Sequence, residues 1–518
     1  MRVTPRCAAI IATCAALAFF ASGCARREND SPMLELALET SPNRLDPAFV
    51  VDAAEGEICS LMFEGLVGFA PDGSMVPGLA RAWTVSGDGT HYQFHLDTRA
   101  VFSNGRPVHA GDVIASFRRV LDPATASPRA WVLARIRGAN DFHDGKSDAI
   151  AGLVAGDDST LTIDLEAPFA PFLSLLALPA ARVVDTATAG SSDVPVGSGP
   201  WQLSEWLRGD RITLTPNPHR THAAGGVEGI RYRIIPEPFT RIAEFESGTI
   251  DVLEIPDAEV PRFRSDKKYA DHVLKRPELR IFYVGLNNAK FMDVRVRQAL
   301  NHAINVPALI RVLASGEAVP AHGSVPPGLP GHRDRPGYEY DPARARALLA
   351  QAGYADGLSL EIWQRESAEG NRVLEAVQGY LLASGVHATL VRREWSAFKE
   401  AVNAGKVDAF FLDWIADYPE AENFLFPLFD SANQGGGGNR ARFSDPAVDR
   451  RLDAASRMTD DAAREEAYAG IDSLVYAQAP WIYLYFPTSF HVVSPRVTGY
   501  RLPAIYLAND FSGVRKAH

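Results

Sequence analysis

The sequence predicts an α/β protein of two large lobes built on mixed sheets. Alternating strand-like runs and amphipathic helical runs succeed one another along the chain, the pattern of layered α/β architecture. The chain has 518 residues, 46% of them apolar, a globular composition too long for one compact domain and fit for about three, or for two large lobes. Self-similarity at a solenoid period is absent.

The elements read in order as follows. Leu34 to Leu38 alternates as a first strand, and His91 to Leu96 alternates as a half-buried one. Asp112 is a plausible N-cap for a helix carrying Val113, Phe117, Val120 and Leu121 on one face. Leu161 to Leu165 is again strand-like, and the Gly/Ser/Pro-rich run from Gly190 to Gly199 reads as a loop crossing between lobes. Strands follow at Ile212 to Leu214, Tyr232 to Ile235 and Val252 to Ile255, with a helix over Phe239 to Phe245 between the last two. Arg280 to Leu286 is a strong strand, and Val296, Leu300 and Ile304 mark a helix face. Pro320 to Gly337 is a Pro/Gly-rich loop; Asp341-Pro342 reads as N-cap and N1 of a helix that Gly353 stops. Leu374, Val377 and Leu381 mark another helix and Val386 to Val391 a strand. The four glycines from Gly435 to Gly438 form a flexible tip, and Ser444-Asp445-Pro446 opens a helix.

The N-terminus carries an export signature. Arg2 and Arg6 precede an apolar run, Ala8 to Ala21, too short to span a bilayer comfortably. It ends in Ala21-Ser22-Gly23-Cys24, which resembles a bacterial lipobox with Ala21 where Leu is usual; a plain secretory cleavage nearby is the other reading. Under the first, Cys24 is lipidated, residues 25–33 are a polar tether, and Cys59 alone remains, so no intrachain disulfide forms. Net charge is −11 without a long Lys/Arg run, which argues against nucleic acid as a partner.

The chain holds no G-x-S-x-G elbow, no H-E-x-x-H and no paired cysteines for zinc. Gly145-Lys146-Ser147 lacks the first glycine of a phosphate loop, since residue 140 is Asn. His219 and His222 sit close together in a loop beside prolines. The expectation is a protein that is no enzyme and carries no cofactor or metal.

The informative stretch is Asp408 to Phe429. An apolar run, Ala409 to Leu412, reads as a buried strand, and carboxylates and aromatics alternate after it through Asp413, Trp414, Asp417 and Tyr418. Pro419 cannot continue a ladder, so the chain leaves the sheet there. An acid held among aromatics at a strand end can serve as a counter-charge for a small cation, because burying it without a partner is costly. A turn aspartate beside core aromatics is the alternative reading.

One family resemblance runs through the chain. Phe63-Glu64-Gly65-Leu66, Pro77-Gly78-Leu79-Ala80, Asp88-Gly89 and Ala110-Gly111-Asp112-Val113 occur in order. They continue through Gly197-Ser198-Gly199-Pro200-Trp201, Asp293 to Leu300, Ala479-Pro480-Trp481-Ile482 and Gly499-Tyr500. Each phrase is weak, but their succession resembles the extracellular solute-binding proteins of family 5, which serve ABC importers of peptides, nickel and other ligands.

The resemblance implies a type II, cluster C-like periplasmic-binding-protein fold with an extra third subdomain. Residues 1–23 would be the signal and 24–33 the tether. One lobe would comprise 34–62, 185–280 and 490–518, the extra subdomain 63–184, and the other lobe 281–489. It implies a lipid-anchored periplasmic monomer that closes on a short peptide and delivers it to permease subunits. By the match of Trp414-Ile415-Ala416-Asp417-Tyr418, Asp417 would hold the peptide α-ammonium. Gln364-Arg365 falls where dipeptide binders place a carboxylate-binding arginine, although a solvated surface arginine fits as well. Longer-peptide binders use an arginine where this chain has Phe411, which favours a short ligand. Trp414, Tyr418 and Trp201 are candidate pocket walls or core residues. A nickel chelate, oligosaccharide or opine ligand, or a peptide-sensing or chaperone-like role, remain open alternatives.

Overall fold

Arg280–Leu286 and Ala409–Ile415 pair antiparallel, with Val284 opposite Phe411, and form the middle of a six-stranded mixed sheet. These are coordinates of a computed structural model describing residues 32–190, 194–220, 226–314 and 316–517. Cys24, the leader and most of the tether lie outside the described residues, as does His222. Across the sheet the order is Val319–Pro320, Trp481–Phe486, Arg280–Leu286, Ala409–Ile415, Leu358–Arg365 and Val386–Arg393. Both faces are covered, which is why the strands read as continuous apolar runs. Period-2 alternation sends Ile281, Tyr283, Phe410 and Leu412 to one side and Phe282, Val284, Ala409 and Phe411 to the other. On the first side Trp481 stacks on Tyr283 at 3.7 Å between ring centroids.

Among the described residues, three further sheets have three or four strands. Met33–Leu38 runs parallel to Gly229–Ile234, which continues antiparallel through Arg211–Pro216 to Trp201–Leu207. Thr488–Val493 lies between Val252–Glu254 and Val273–Pro277. Ala80–Val85, His91–Leu96, Thr160–Asp164 and Leu153–Ala155 form a four-stranded antiparallel sheet. The alternation at His91–Leu96 is realised as Tyr92, Phe94 and Leu96 buried in the core of the region from Ala48 to Val183.

The chain passes from the three-stranded sheet into the six-stranded one at 277–280 and returns at 486–488. The two passages lie side by side, with the Glu278 amide donating to the Pro487 carbonyl at 2.9 Å. In the Gly190 to Gly199 run, of which 191–193 lie outside the described residues, Val196–Gly197 pairs with Val184–Asp185. A Cβ on Gly197 would stand 2.2 Å from the Met62 carbonyl, so the close approach requires glycine.

Of the helix starts expected from sequence, the one at Asp341 follows the capping rule and the one at Asp112 is revised. Asp341 caps Pro342–Gln351 by accepting from the Arg344 amide at 2.9 Å, and Gly353 ends it at φ +94°. Asp112 is not the N-cap of Ala110–Leu121. His109 occupies that position and Asp112, three residues on, accepts from the His109 amide at 2.8 Å, the reciprocal half of a capping box. Among the described residues no helix is long and apolar enough to cross a membrane.

Candidate functional site

The strand Ala409–Ile415 ends where its side chains turn polar. Asp413, still in the ladder, is paired with Arg280 at 2.9 Å. The next carboxylate in the run, on Asp417, has no such partner. The backbone leaves the sheet at Ala416, whose amide donates to Leu279 O at 2.9 Å. Asn423, in the helix Glu422–Phe429, then braces the turn twice. Its side-chain oxygen accepts from the Asp417 amide at 3.0 Å, and its carbonyl accepts from Trp414 Nε1 at 2.9 Å. Tyr418 faces inward and joins the core of the Ala48 to Val183 region, its hydroxyl hydrogen-bonded to Glu422.

These bonds fix the backbone of Asp417 and leave its side chain free. Among the described residues the carboxylate has neither a hydrogen bond nor an ion pair. Burial pushes its pKa up, opposed by the positive charge of Arg129. Arg129 is itself committed elsewhere, donating to the carbonyls of Val50 at 2.8 Å and Val51 at 3.4 Å.

Asp417 opens into a cavity of about 770 Å³. One wall comes from residues 128–175 and the other from 414–437. Ser174 Oγ donates to Glu420 at 3.2 Å and the Ala170 amide to Ser456 O at 2.8 Å, so the two walls touch beside it. Trp131, Phe169, Trp414, Tyr418 and Phe426 supply the aromatic surface, and Arg129, Arg135, Glu166 and Glu422 the charges. The volume and the mixture of aromatics with few charges suit a small organic ligand. Gly436 and Gly437 also line it; the expected flexible tip is a turn, with the Gly438 amide bonded to Gly435 O at 3.2 Å.

The acidic side of the cavity is electrostatically strained. Burial raises Glu420 against the pull of Arg464, and raises Glu422 to about 7 against its bond from Tyr418. A carboxyl raised on folding contributes stability below its unfolded pKa and loses it as pH climbs through the folded one. Glu422→Gln should therefore match wild type near pH 4 and be more stable above pH 7, by about 3 kcal/mol at most from a rise of 4.5 to about 7. Thermal melts of both proteins across pH 4 to 8.5 check this; parallel curves would contradict it.

Of the residues singled out in the sequence, the structure brings Trp414, Asp417 and Tyr418 together on this cavity. It does not bring Arg365 or Trp201 there. Arg365 is the last residue of Leu358–Arg365; alternation buries Gln364 and leaves Arg365 exposed, 5.8 Å from the Trp395 ring. Trp201 is 2% exposed, packs in the core beneath the Met33–Leu38 sheet, and borders a separate cavity with Asp97 and Arg220. Phe411 stacks on Phe282 at 5.8 Å in the sheet's core. Sequence reasoning missed the opposite wall. Its signal was the run Arg129 to Arg137, where arginines interleave with Trp131.

Comparison with known proteins gives four findings. The family model for bacterial extracellular solute-binding proteins, family 5 (middle), matches residues 74–436. Di/tripeptide-binding protein 4 of Pseudomonas aeruginosa is 30% identical over 514 residues, covering 94% of each chain. Heme-binding protein A of Haemophilus influenzae is 28% identical over 489 residues, covering 89% of this chain and 88% of that one. Among solved structures, the murein tripeptide binding protein of Escherichia coli superposes with a TM-score of 0.80 at 28% identity, over 94% of this chain and 99% of that one.

Proposed function

The chain belongs to the bacterial extracellular solute-binding proteins of family 5, and from that premise we propose that it captures short peptides for an ABC importer. The observation that carries this reading is the unpartnered Asp417 carboxylate in a cavity between two walls. A peptide's α-ammonium supplies the missing charge, and a charge-assisted bond in a site shielded from water is stronger than its surface counterpart. Relatives named for di- and tripeptides support the same ligand class. The relative named for heme supports a different solute, which would not need a free carboxylate at this point.

On this reading Trp414 and Tyr418 are walls that accept many side chains, since aromatics give broad contact without demanding one partner. Capture is a hinge closure, with the ligand favouring the closed form by its contacts to both walls. The paired passages at 277–280 and 486–488 are the hinge. Residues 34–62, 185–280 and 490–518 act as one lobe, with 63–184 attached to it, and 281–489 as the other. Export follows the leader, Cys24 carries the lipid, and the protein works as a monomer beside its permease in the periplasm.

Calorimetry on ligand-stripped protein tests the reading, with a series from dipeptides to pentapeptides. Dipeptides and tripeptides should bind more tightly than tetrapeptides. Tighter tetrapeptide binding would overturn the preference for short ligands, and absence of heat with every peptide would overturn the function.

A further inference from the structure

The cavity has a second charge without a hydrogen-bonded partner, on the wall opposite that of Asp417. Five arginines lie between 118 and 137, and four are committed. Arg118 donates to Asp148 O at 2.9 Å, Arg119 pairs with Asp46, Arg129 caps the Val50 and Val51 carbonyls, and Arg137 pairs with Asp164 at 2.6 Å. Arg135 is different: among the described residues its guanidinium has no hydrogen bond and no ion pair. It lies over the face of Phe169, with Cζ 4.6 Å from the ring centroid, and its charge pulls on Glu422 without forming an ion pair. Both residues line the cavity that Asp417 opens.

Stacking fixes the plane of a guanidinium and leaves its fork of N–H donors pointing outward. Such a group, preoriented and unpaired, suits a carboxylate approached edge-on. The neighbouring acid, Glu422, feels the charge of Arg135 but gives it no hydrogen bond, being bonded to Tyr418 instead.

We propose that Arg135 receives a carboxylate of the bound ligand, so that the ligand spans the cavity with its ammonium on Asp417 and its carboxylate on the opposite wall. This rests on the peptide reading and deepens it. The preferred cargo is a short peptide with both termini free, or one whose acidic side chain reaches the same place, and the ligand itself links the two walls. The role given to Arg365 by sequence falls to Arg135, which stands on the same cavity as Asp417.

The test is a set of tripeptide titrations by calorimetry, on wild type, Arg135→Gln and Arg135→Lys. The probes are Ala-Ala-Ala, its C-terminal amide and its N-acetyl form. Amidation should weaken binding to wild type roughly 10- to 100-fold, the worth of a bond to a charged group. In Arg135→Gln the free and amidated tripeptides should bind alike, and Arg135→Lys should restore part of the preference. Acetylation should weaken binding to all three proteins, because Asp417 is intact. If Arg135→Gln keeps the full preference for the free carboxylate, or wild type ignores amidation, the inference is overturned while the peptide reading stands. If no probe binds wild type, the peptide reading itself has failed. Among the described residues the Arg135 guanidinium makes no hydrogen bond, and the Arg135 carbonyl, which accepts from the Glu166 amide at 3.1 Å, is kept in Arg135→Gln, so melting temperatures close to wild type are expected alongside.

Discussion

Asp417→Asn should weaken the binding of short peptides by about two to three orders of magnitude. Removing one partner of a desolvated, hydrogen-bonded charge pair costs about 2–5 kcal/mol, much of it from the charge left behind. Here that charge is the ligand's ammonium, brought into a cavity lined by aromatics with few charges. The side chain changes only in charge, and the turn around it is held by the Asp417 amide and Trp414 Nε1, both of which keep Asn423 as partner. Two side effects distinguish a lost counter-charge from a damaged fold. Burial raises the carboxyl of the empty protein, and an arriving ammonium lowers it again. Binding therefore releases protons, and affinity in wild type should fall as pH drops through the raised titration. Asp417→Asn should lack that pH dependence. The empty variant should also melt higher than wild type at neutral pH, because it no longer holds a buried charge without a partner. Titrations from pH 4 to 7.5 with melts at each pH read both effects.

The largest loss of stability should come from a buried carboxylate far along the chain from the cavity. Asp251 is fully buried and accepts from the Glu35 amide and from Lys516 Nζ, each at 2.8 Å, with Arg496 at 3.8 Å. Lys516 Nζ also donates to Met33 O at 2.9 Å. One cluster thus ties the first strand, the turn before Val252–Glu254 and the last residues of the chain. Asp251→Ala strands a lysine whose side chain is only 3% exposed, and breaking a buried pair from one side costs about 3–5 kcal/mol. The melting temperature should drop by several degrees. The peptide affinity of the remaining folded protein should be unchanged, since none of these groups lines the cavity. Reduced affinity without reduced stability would contradict the assignment.

The two-lobed α/β architecture was legible in the sequence because its signals are local. Period-2 alternation at His91–Leu96, the apolar run at Arg280–Leu286 and the Asp341-Pro342 helix start each dictate their own element. The phrase Trp414 to Tyr418 was legible for the same reason: a strand ending in alternating acids and aromatics puts its own residues together. Arg365 shows where local reading stops. Alternation determines that Arg365 and Gln364 face opposite ways, but which face meets the cavity depends on the order of strands in the sheet, and that is long-range. Arg135 belongs to the same class: it sits in a mostly apolar run, Ala130 to Ile136, and reads as an ordinary surface arginine until folding places it on the same cavity as Asp417. Trp201 was a matter of scale, since a buried tryptophan at a strand start serves a core as readily as a ligand.

The most direct measurement is a crystal structure with a bound tripeptide. The account predicts the α-ammonium nitrogen at the 2.7–2.9 Å typical of charged pairs from an Asp417 carboxylate oxygen, in a cavity closed to bulk water. A structure with that carboxylate facing bulk solvent, or paired with Arg129 while the ligand's amine lies elsewhere, would contradict it.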